Sequence, residues 1–435
     1  MIDPARLSLL ATAPEPDSLL LRDARIVDVE AGAAAPGSVW VRDGRIEAVG
    51  SRDELRAATA ASGAPTVEVD LGGRTLLPGL MNMHTHFSLA LPGERGARIS
   101  ALDPAGLALY MADGARRTLH AGVTTVRCVA ERDHADFALR RAIERGETLG
   151  PDIYTAGQAI VCTGGHGHEG SDTLECDGPA GFARGVRTQI KAGADLIKVM
   201  ISGGIAGEHE GIATPQLTDD EMRSVIGVAH AWGRKVTAHA GPAEVIARAV
   251  ELGLDCVEHG YELTPEVAEA MAEAGTALVP TLVVSRCKAF FDELGVPEWM
   301  QQRSLAAGPR HIESFRMALD AGVEMMVGSD MPPFWMFEGA PAVIREMEHM
   351  SGFGLGPAAT LRAGTLTTAR WLGTDDRVGT VEPGKRADLI ALPGDPLGDV
   401  SALRGIDWVM KAGRVVRDDA RALSPAAGSR NGERS

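Results

Sequence analysis

A chain of 435 residues with 45% hydrophobic side chains and 52 glycines is long enough for a large, turn-rich globular core, which excludes a disordered or fibrous protein. Its 43 Lys and Arg against 59 Asp and Glu leave a formal net charge of -16, a field that excludes nucleic acid as a partner. Five scattered cysteines (Cys128, Cys162, Cys176, Cys256, Cys287) without CxxC spacing read as reduced thiols of a cytoplasmic protein, not as a disulfide framework.

The first residues carry Arg6 and an apolar run, Leu7 to Ala13, broken by Pro14 and Pro16. That run is too short and too interrupted for a signal peptide or a membrane span, so no membrane association is expected. From Ser18 to about Gly73 short β-rich runs follow: Leu19–Leu21, Ala24–Val29, Ser38–Val41, Arg45–Val49 and Thr66–Asp70. Asp43-Gly44 predicts a tight hairpin turn, and Ser51 followed by Asp53 and Glu54 predicts the start of a small helix over 51–61. Ala387–Leu392 and Trp408–Val416 repeat the strand pattern near the other end. The expectation is a small β-sandwich domain built from both chain ends, 1–76 and 380–421, with a disordered tail over 422–435.

Between them, 77–379 alternates apolar strands with amphipathic segments such as Pro242–Leu252, Glu266–Ala274 and His311–Ala321. The strands expected are Leu77–His86, Val123–Val129, Asp152–Ile160, Leu196–Ser202, Lys235–Ala240, Asp255–Gly260, Ala277–Val284 and Val323–Asp330. Eight such alternations predict an α/β fold, a (β/α)8 TIM-like barrel whose chemistry sits at the carboxyl ends of its strands.

Those ends carry the candidate residues. His84 and His86, one residue apart on a strand, project to one face. Lys198 sits alone among Leu196, Ile197 and Val199, His239 and His259 end the fifth and sixth strands, and Asp330 ends the eighth. Imidazoles aimed at one point suit a borderline transition metal. A single strand-end His or Asp is ordinarily structural, but the six in consistent register point to a site.

This order of residues resembles the binuclear amidohydrolase superfamily. Gly122–Arg127, Ile197–Gly204 and the return segment Gly379–Leu389 are similar to the branch of imidazolonepropionase-like enzymes, prolidase-like enzymes, Xaa-Arg/Lys carboxypeptidases and amide-cleaving mycotoxin hydrolases. The resemblance implies two divalent metal ions, zinc by default, and an N-carboxylated Lys198 that bridges them. It implies that His84, His86 and Asp330 hold one ion and His239 and His259 the other, with Asp330 moving the proton of a metal-activated water. A buried lysine has a depressed pKa, so a neutral amine is available to take up carbon dioxide. Departures from the branch are Asn82 before the His-x-His pair, the lack of an Asp near Cys128 and the run Ala240-Gly241-Pro242 after His239.

The loop Thr163–Gly170 resembles the branch's Gly-Gly-His-Gly run, which makes His166 an expected contact for a substrate oxyanion or carboxylate and His168 a second candidate. Glu208-His209-Glu210 reads as solvated. Phe334 and Trp335, in a chain with only 4% aromatic residues, read as an apolar wall of the substrate pocket, with an oligomer interface as the alternative. The expected activity is hydrolysis of a peptide-like amide, a dipeptide or N-acyl amino acid, with an apolar or aromatic group expected on the substrate. Cyclic-amide hydrolysis, lactone hydrolysis, mononuclear deamination and a non-catalytic scaffold are the alternatives. A small-molecule substrate and a homo-oligomer are expected.

Overall fold

The computed structural model describes residues 17–419; the apolar run before Pro14 and the tail expected after Arg421 lie outside the described residues. The amino-terminal strands are β1 (Ser18–Asp28), β2 (Ala33–Arg42), β3 (Arg45–Gly50), β4 (Val67–Asp70) and β5 (Thr75–Pro78). β1 pairs antiparallel with β2 and parallel with both β4 and β5. The two runs expected over 19–29 form one strand, because a register shift between Leu21 and Ala24 absorbs Asp23, whose φ is 57°. β2 turns into β3 at Asp43 and Gly44, both at positive φ (50° and 77°), the geometry a two-residue hairpin favours. The helix Arg52–Ser62 starts where Ser51 predicts. Ser51 Oγ accepts the Glu54 N–H, and the Glu54 carboxylate accepts the Ser51 N–H at 3.0 Å.

The strand expected over Leu77–His86 is two strands. Gly79 is the break: its N–H donates to Asp388 O at 2.9 Å, and an added Cβ would lie 2.2 Å from Thr124 Oγ1. The chain thus leaves one sheet as β5 and enters another as β6 (Leu80–Thr85). With the Thr124 side chain packed this closely against the Gly79 backbone, only glycine fits.

β6, β7 (Val123–Cys128) and β8 (Asp152–Thr155) form a parallel sheet. β9 (Ala159–Val161), β10 (Thr173–Glu175), β11 (Ile197–Met200), β12 (Val236–Pro242), β13 (Cys256–Glu262) and β14 (Ala277–Val279) form a second, in the order β10-β9-β11-β12-β13-β14 and parallel throughout. Both are nearly continuous runs of buried residues, as expected of parallel strands covered by helices on their outer face. The expected strand Asp152–Ile160 is interrupted after Thr155, and Ala277–Val284 ends early in the 3-10 turn Leu282–Ser285. Val323–Asp330 is not a regular strand, yet it bridges the two sheets: Met326 N donates to Leu278 O at 3.0 Å and Met83 N to Val327 O at 2.8 Å. A small hairpin, β15 (Met336–Phe337) with β16 (Ala340–Pro341), follows.

β17 (Leu389–Leu392), β18 (Trp408–Lys411) and β19 (Arg414–Asp418) return the chain to the first sheet. β17 pairs antiparallel with β5, so strands from both ends share one sheet of eight, with β4 branching from β1. All five cysteines are free thiols. Among the described residues no helix is long and apolar enough to cross a membrane.

Candidate active site

The carboxyl ends of the parallel strands surround a cavity of about 800 Å³. His84, His86, Lys198, His239, His259 and Asp330 all line it, and all but Asp330 are buried. The rings stand close together: His84 lies 5.2 Å from His86 and 5.0 Å from His259, and His239 4.6 Å from His259, between centroids. Asp330 Oδ1 sits 3.0 Å from His84 Nε2 and 3.1 Å from His86 Nε2, with Oδ2 3.8 Å from His259 Nδ1. His259 and Asp330 hold φ of 69° and 54°. Such left-handed backbone is costly for these residues and gathers at functional sites.

Each imidazole is anchored through one nitrogen. His86 Nδ1 donates to Ala130 O at 2.9 Å and His239 Nε2 to Gly203 O at 3.0 Å, so His86 Nε2 and His239 Nδ1 carry the free electron pairs. His84 Nδ1 meets the Glu258 carboxylate at 2.7 Å, and His259 Nδ1 meets Thr281 Oγ at 2.6 Å. Fixing one nitrogen in this way sets the tautomer and aims the other, the usual support of metal-binding histidines. Burial, then the neighbouring His166 and Lys198, hold His239 well below the ordinary imidazole range. Burial and His239 do the same to His259, so both are neutral bases, as ligands must be.

Lys198 is fully buried, and that burial lowers its pKa to about 8 against the opposing pull of Glu258 and Asp330. An amine near neutrality is the form that can react with carbon dioxide. Glu258 is also fully buried. Burial alone would raise its pKa, but the Arg127 guanidinium and then His84 outweigh it and hold the carboxyl well below the usual range. Arg127 donates to both Glu258 and Met83 O, and Thr237 Oγ donates to the same carboxylate.

Sequence reasoning gave no role to Glu258, Arg127, Glu131, Thr281 or Glu210. Glu258 and Arg127 had a signal: each is a charged residue inside an apolar strand, like Lys198. Strand alternation argues against Glu258 and His259 serving one site, and the left-handed φ at His259 is what breaks the alternation. Glu131 had none. It is buried, accepts the Phe87 N–H at 2.6 Å and the Ser88 N–H at 2.9 Å, and so fixes the chain just beyond His86. Asn82, where the resemblance leads one to expect an acid, donates from Nδ2 to Ser329 Oγ at 2.9 Å and accepts the Ser329 N–H at 3.2 Å. It ties β6 to the segment that carries Asp330.

His166 lines the cavity, stacked on His239 with centroids 4.2 Å apart and paired through Nδ1 with Glu210. The reading of Glu210 as solvated is therefore corrected: it also accepts from Gln216 at 2.8 Å, and burial is outweighed by His166 so that its carboxyl lies below the usual range. His168 does not line the cavity; its Nδ1 donates to Gly165 O at 2.9 Å within its own loop. Phe334 and Trp335 do not line it either, which corrects their place as pocket walls. Phe334 packs between Phe87 and Tyr110, and Trp335 against Phe290 beneath the Arg95 guanidinium, both buried as core. The apolar lining comes instead from Leu89, Leu91, Phe291, Trp299 and Met300.

Comparison with known proteins agrees with this geometry. Ochratoxinase of Aspergillus niger is 26% identical over 91% of this chain and 87% of its own length. Imidazolonepropionase of a Geobacillus species is 27% identical over 87% of this chain and 90% of its own. The crystal structure of a Xaa-Pro dipeptidase with methionine bound in its active site superposes with a TM-score of 0.80 at 28% identity, covering 92% of this chain and all of that one. Relatives of this kind imply a TIM-like barrel with a separate domain, in keeping with the parallel sheets and the composite sheet. The profile of the amidohydrolase family matches residues 75–416, every candidate ligand included, and the chain belongs to that family.

Proposed function

We propose that this protein is a binuclear metal-dependent hydrolase that cleaves a peptide-like amide, a dipeptide or an N-acyl amino acid, in the cytoplasm. The observation that carries the reading is the convergence of four imidazoles, Lys198 and Asp330 on one cavity, with a nitrogen of each imidazole already held by the protein. On this reading the two parallel sheets and the Val323–Asp330 segment close into an eight-stranded barrel over 77–379. The sheet shared by 1–76 and 380–421 is its companion domain, and the chain acts as a homo-oligomer.

The donor set fits two borderline divalent ions such as zinc: neutral nitrogens, a carboxylate and an amine able to become a carbamate. His84, His86 and Asp330 would hold one ion, His239 and His259 the other, with N-carboxylated Lys198 shared. Bound there, such ions polarise an amide carbonyl and bring the pKa of water toward neutrality. Asp330 Oδ1 lies beside His84 Nε2 and His86 Nε2, the atoms that would share an ion with it, which leaves Oδ2 to take a proton from the attacking water and return it to the leaving amine. His166, steadied by Glu210, presents Nε2 to a substrate oxygen. The apolar side chains of Phe291, Trp299 and Met300 exclude water beside the scissile bond.

The test is amine release from a panel of dipeptides and N-acyl amino acids by zinc-loaded protein, with and without chelator, beside elemental analysis. Two metal ions per chain and chelator-sensitive release are expected. Two ions with no release from any member would sink the peptide-amide reading and favour cyclic amides, which the imidazolonepropionase likeness makes the next class to try.

A further inference from the structure

His311 is a fully buried histidine that does not line the cavity. It projects from the helix Glu298–Asp320, and burial, followed by the nearby Arg286, pushes its pKa down to about 3. Its Nε2 lies 2.8 Å from Pro280 O and 3.2 Å from His259 O, and its Nδ1 3.0 Å from Ser285 Oγ. Carbonyl oxygens only accept, so the ring of this neutral imidazole carries its proton on Nε2 and shares it between the two.

Those two carbonyls belong to the segments that set one candidate ligand. The first is the carbonyl of His259 itself, and the second immediately precedes Thr281, whose Oγ sits 2.6 Å from His259 Nδ1. His259, Gly260 and Thr281 all hold left-handed backbone, with φ of 69°, 61° and 51°. Three residues further along the same helix face, buried Ser314 donates from Oγ to Gly260 O and accepts the Leu263 N–H at 2.8 Å. Tyr261 fills the space between, its ring parallel to that of His259 with centroids 5.2 Å apart and 4.6 Å from that of His311. Left-handed backbone at residues other than glycine persists only where the surroundings over-determine it. Here two side chains of one helix capture two consecutive carbonyls.

We propose that His311, together with Ser314, is a positioning residue of the metal site, holding the peptide groups of His259 and Gly260 in the turn that brings the His259 ring to the ion it shares with His239. The proposal rests on the binuclear reading above. The same helix places Trp299 and Met300 in the cavity wall, so a residue that merely anchored the helix would act on the substrate side instead. The two roles therefore leave different marks.

Metal-free full-length protein is titrated with zinc against a chromophoric chelator, with bicarbonate present. Wild type should show two binding steps. His311→Leu keeps bulk but donates nothing; it should weaken one step about 10–100-fold and leave the other unchanged. His311→Gln, whose amide can donate in place of Nε2, should recover most of that loss. Adding His311→Leu to a His259→Ala protein should leave its isotherm as it was, because the effect acts through that ring. In amide turnover, kcat should fall in His311→Leu at nearly constant KM. If His311→Leu does not fold, Ser314→Ala carries the test, with a smaller loss at the same step expected. Equal weakening of both steps, a further loss in the His259→Ala background, or a raised KM with both steps intact would assign His311 to helix anchoring and overturn the proposal. Wild type that takes up no zinc would overturn the binuclear reading and the proposal together, whereas two steps that His311→Leu leaves unmoved would overturn the proposal alone.

Discussion

The two ends of the parallel layer both bury charge, and they do so to opposite effect. At the amino ends of the strands Asp388, 3% exposed, accepts Lys411 Nζ at 2.8 Å, Arg386 Nε at 3.0 Å and the Ala412 N–H at 2.7 Å. Lys411 also meets Asp152 at the start of β8 at 3.1 Å, and Thr124 O at 2.9 Å. Opposite charges alternate there, and the network joins the parallel layer to the composite sheet. At the carboxyl ends cations and bases crowd together: four imidazoles and Lys198 face Asp330 as the one carboxylate among the six, and each imidazole keeps an electron pair free. Buried charges that are mutually satisfied hold a structure together, while buried groups left with unused donor atoms await a ligand.

The comparison breaks first at the mouth. Lys198→Ala and Asp330→Asn should each cost turnover at least about 10²–10⁴-fold with fewer than two metal ions retained, measured by elemental analysis and amine release. Neither should lower thermal stability much. Lys198→Met, which replaces a buried amine with an apolar chain of similar length, should melt no lower than wild type when both are metal-free. A large fall in the melting midpoint of that variant would mean the mouth is structural after all.

At the floor the signs reverse. Asp388→Asn leaves Lys411 and Arg386 with one carboxylate, Asp152, to share. A loss of about 2–3 kcal/mol is expected, below the range for fully buried pairs because Arg386 and Asp152 are partly solvated. Urea denaturation checks the size, and metal content should stay at the wild-type value. Between these extremes stands Glu258→Gln, which keeps the shape of the support behind His84 but removes its charge. Metal affinity should fall about 10–100-fold, read by competition with a chromophoric chelator. Unchanged affinity would show that Arg127 and Thr237, not His84, are what Glu258 serves.

Much of the mouth was legible because metal-binding groups are rare and their positions on strands are regular. His84, His86, His239, His259 and Asp330 each close an apolar run and Lys198 interrupts one from inside, and the structure brings all six to one cavity. The composite sheet was legible from alternation at both termini, and the Ser51 cap and the Asp43-Gly44 turn from local chemistry. What escaped depends on contacts between distant segments. Gly79 divides a continuous apolar run only because Thr124 crosses it. Phe334 and Trp335 look like pocket walls by composition, yet Phe87, Tyr110 and Phe290 claim them for the core. Glu210 looks solvated until His166 folds over from another loop. Such partners lie from tens to hundreds of residues apart in sequence, and no local pattern marks them.

The smallest expected effect concerns a buried carboxylate that belongs to neither network. Glu346 is fully buried and accepts the Leu282 and Val283 N–H groups, both at 2.7 Å. Burial pushes its pKa up to about 8, against the lowering effect of those hydrogen bonds and of Arg286. A carboxyl with a raised folded-state pKa binds a proton more tightly folded than unfolded, so its contribution favours folding below its ordinary pKa and is lost as pH rises toward 8. Glu131, pushed up to about 7 by burial and then Asp136, acts with the same sign. The share of stability that Glu346 supplies should therefore fall between about pH 5 and 8, read as the difference between wild type and Glu346→Gln in a series of melts of metal-free protein at constant ionic strength. Glu346→Gln gives up one acceptor for the Leu282 and Val283 amides, so it should start lower at pH 5, but its gap to wild type should narrow as pH rises across the same interval. A slope identical to wild type would mean that Glu346 stays ionised throughout, held by those two amides as firmly as Arg127 holds Glu258.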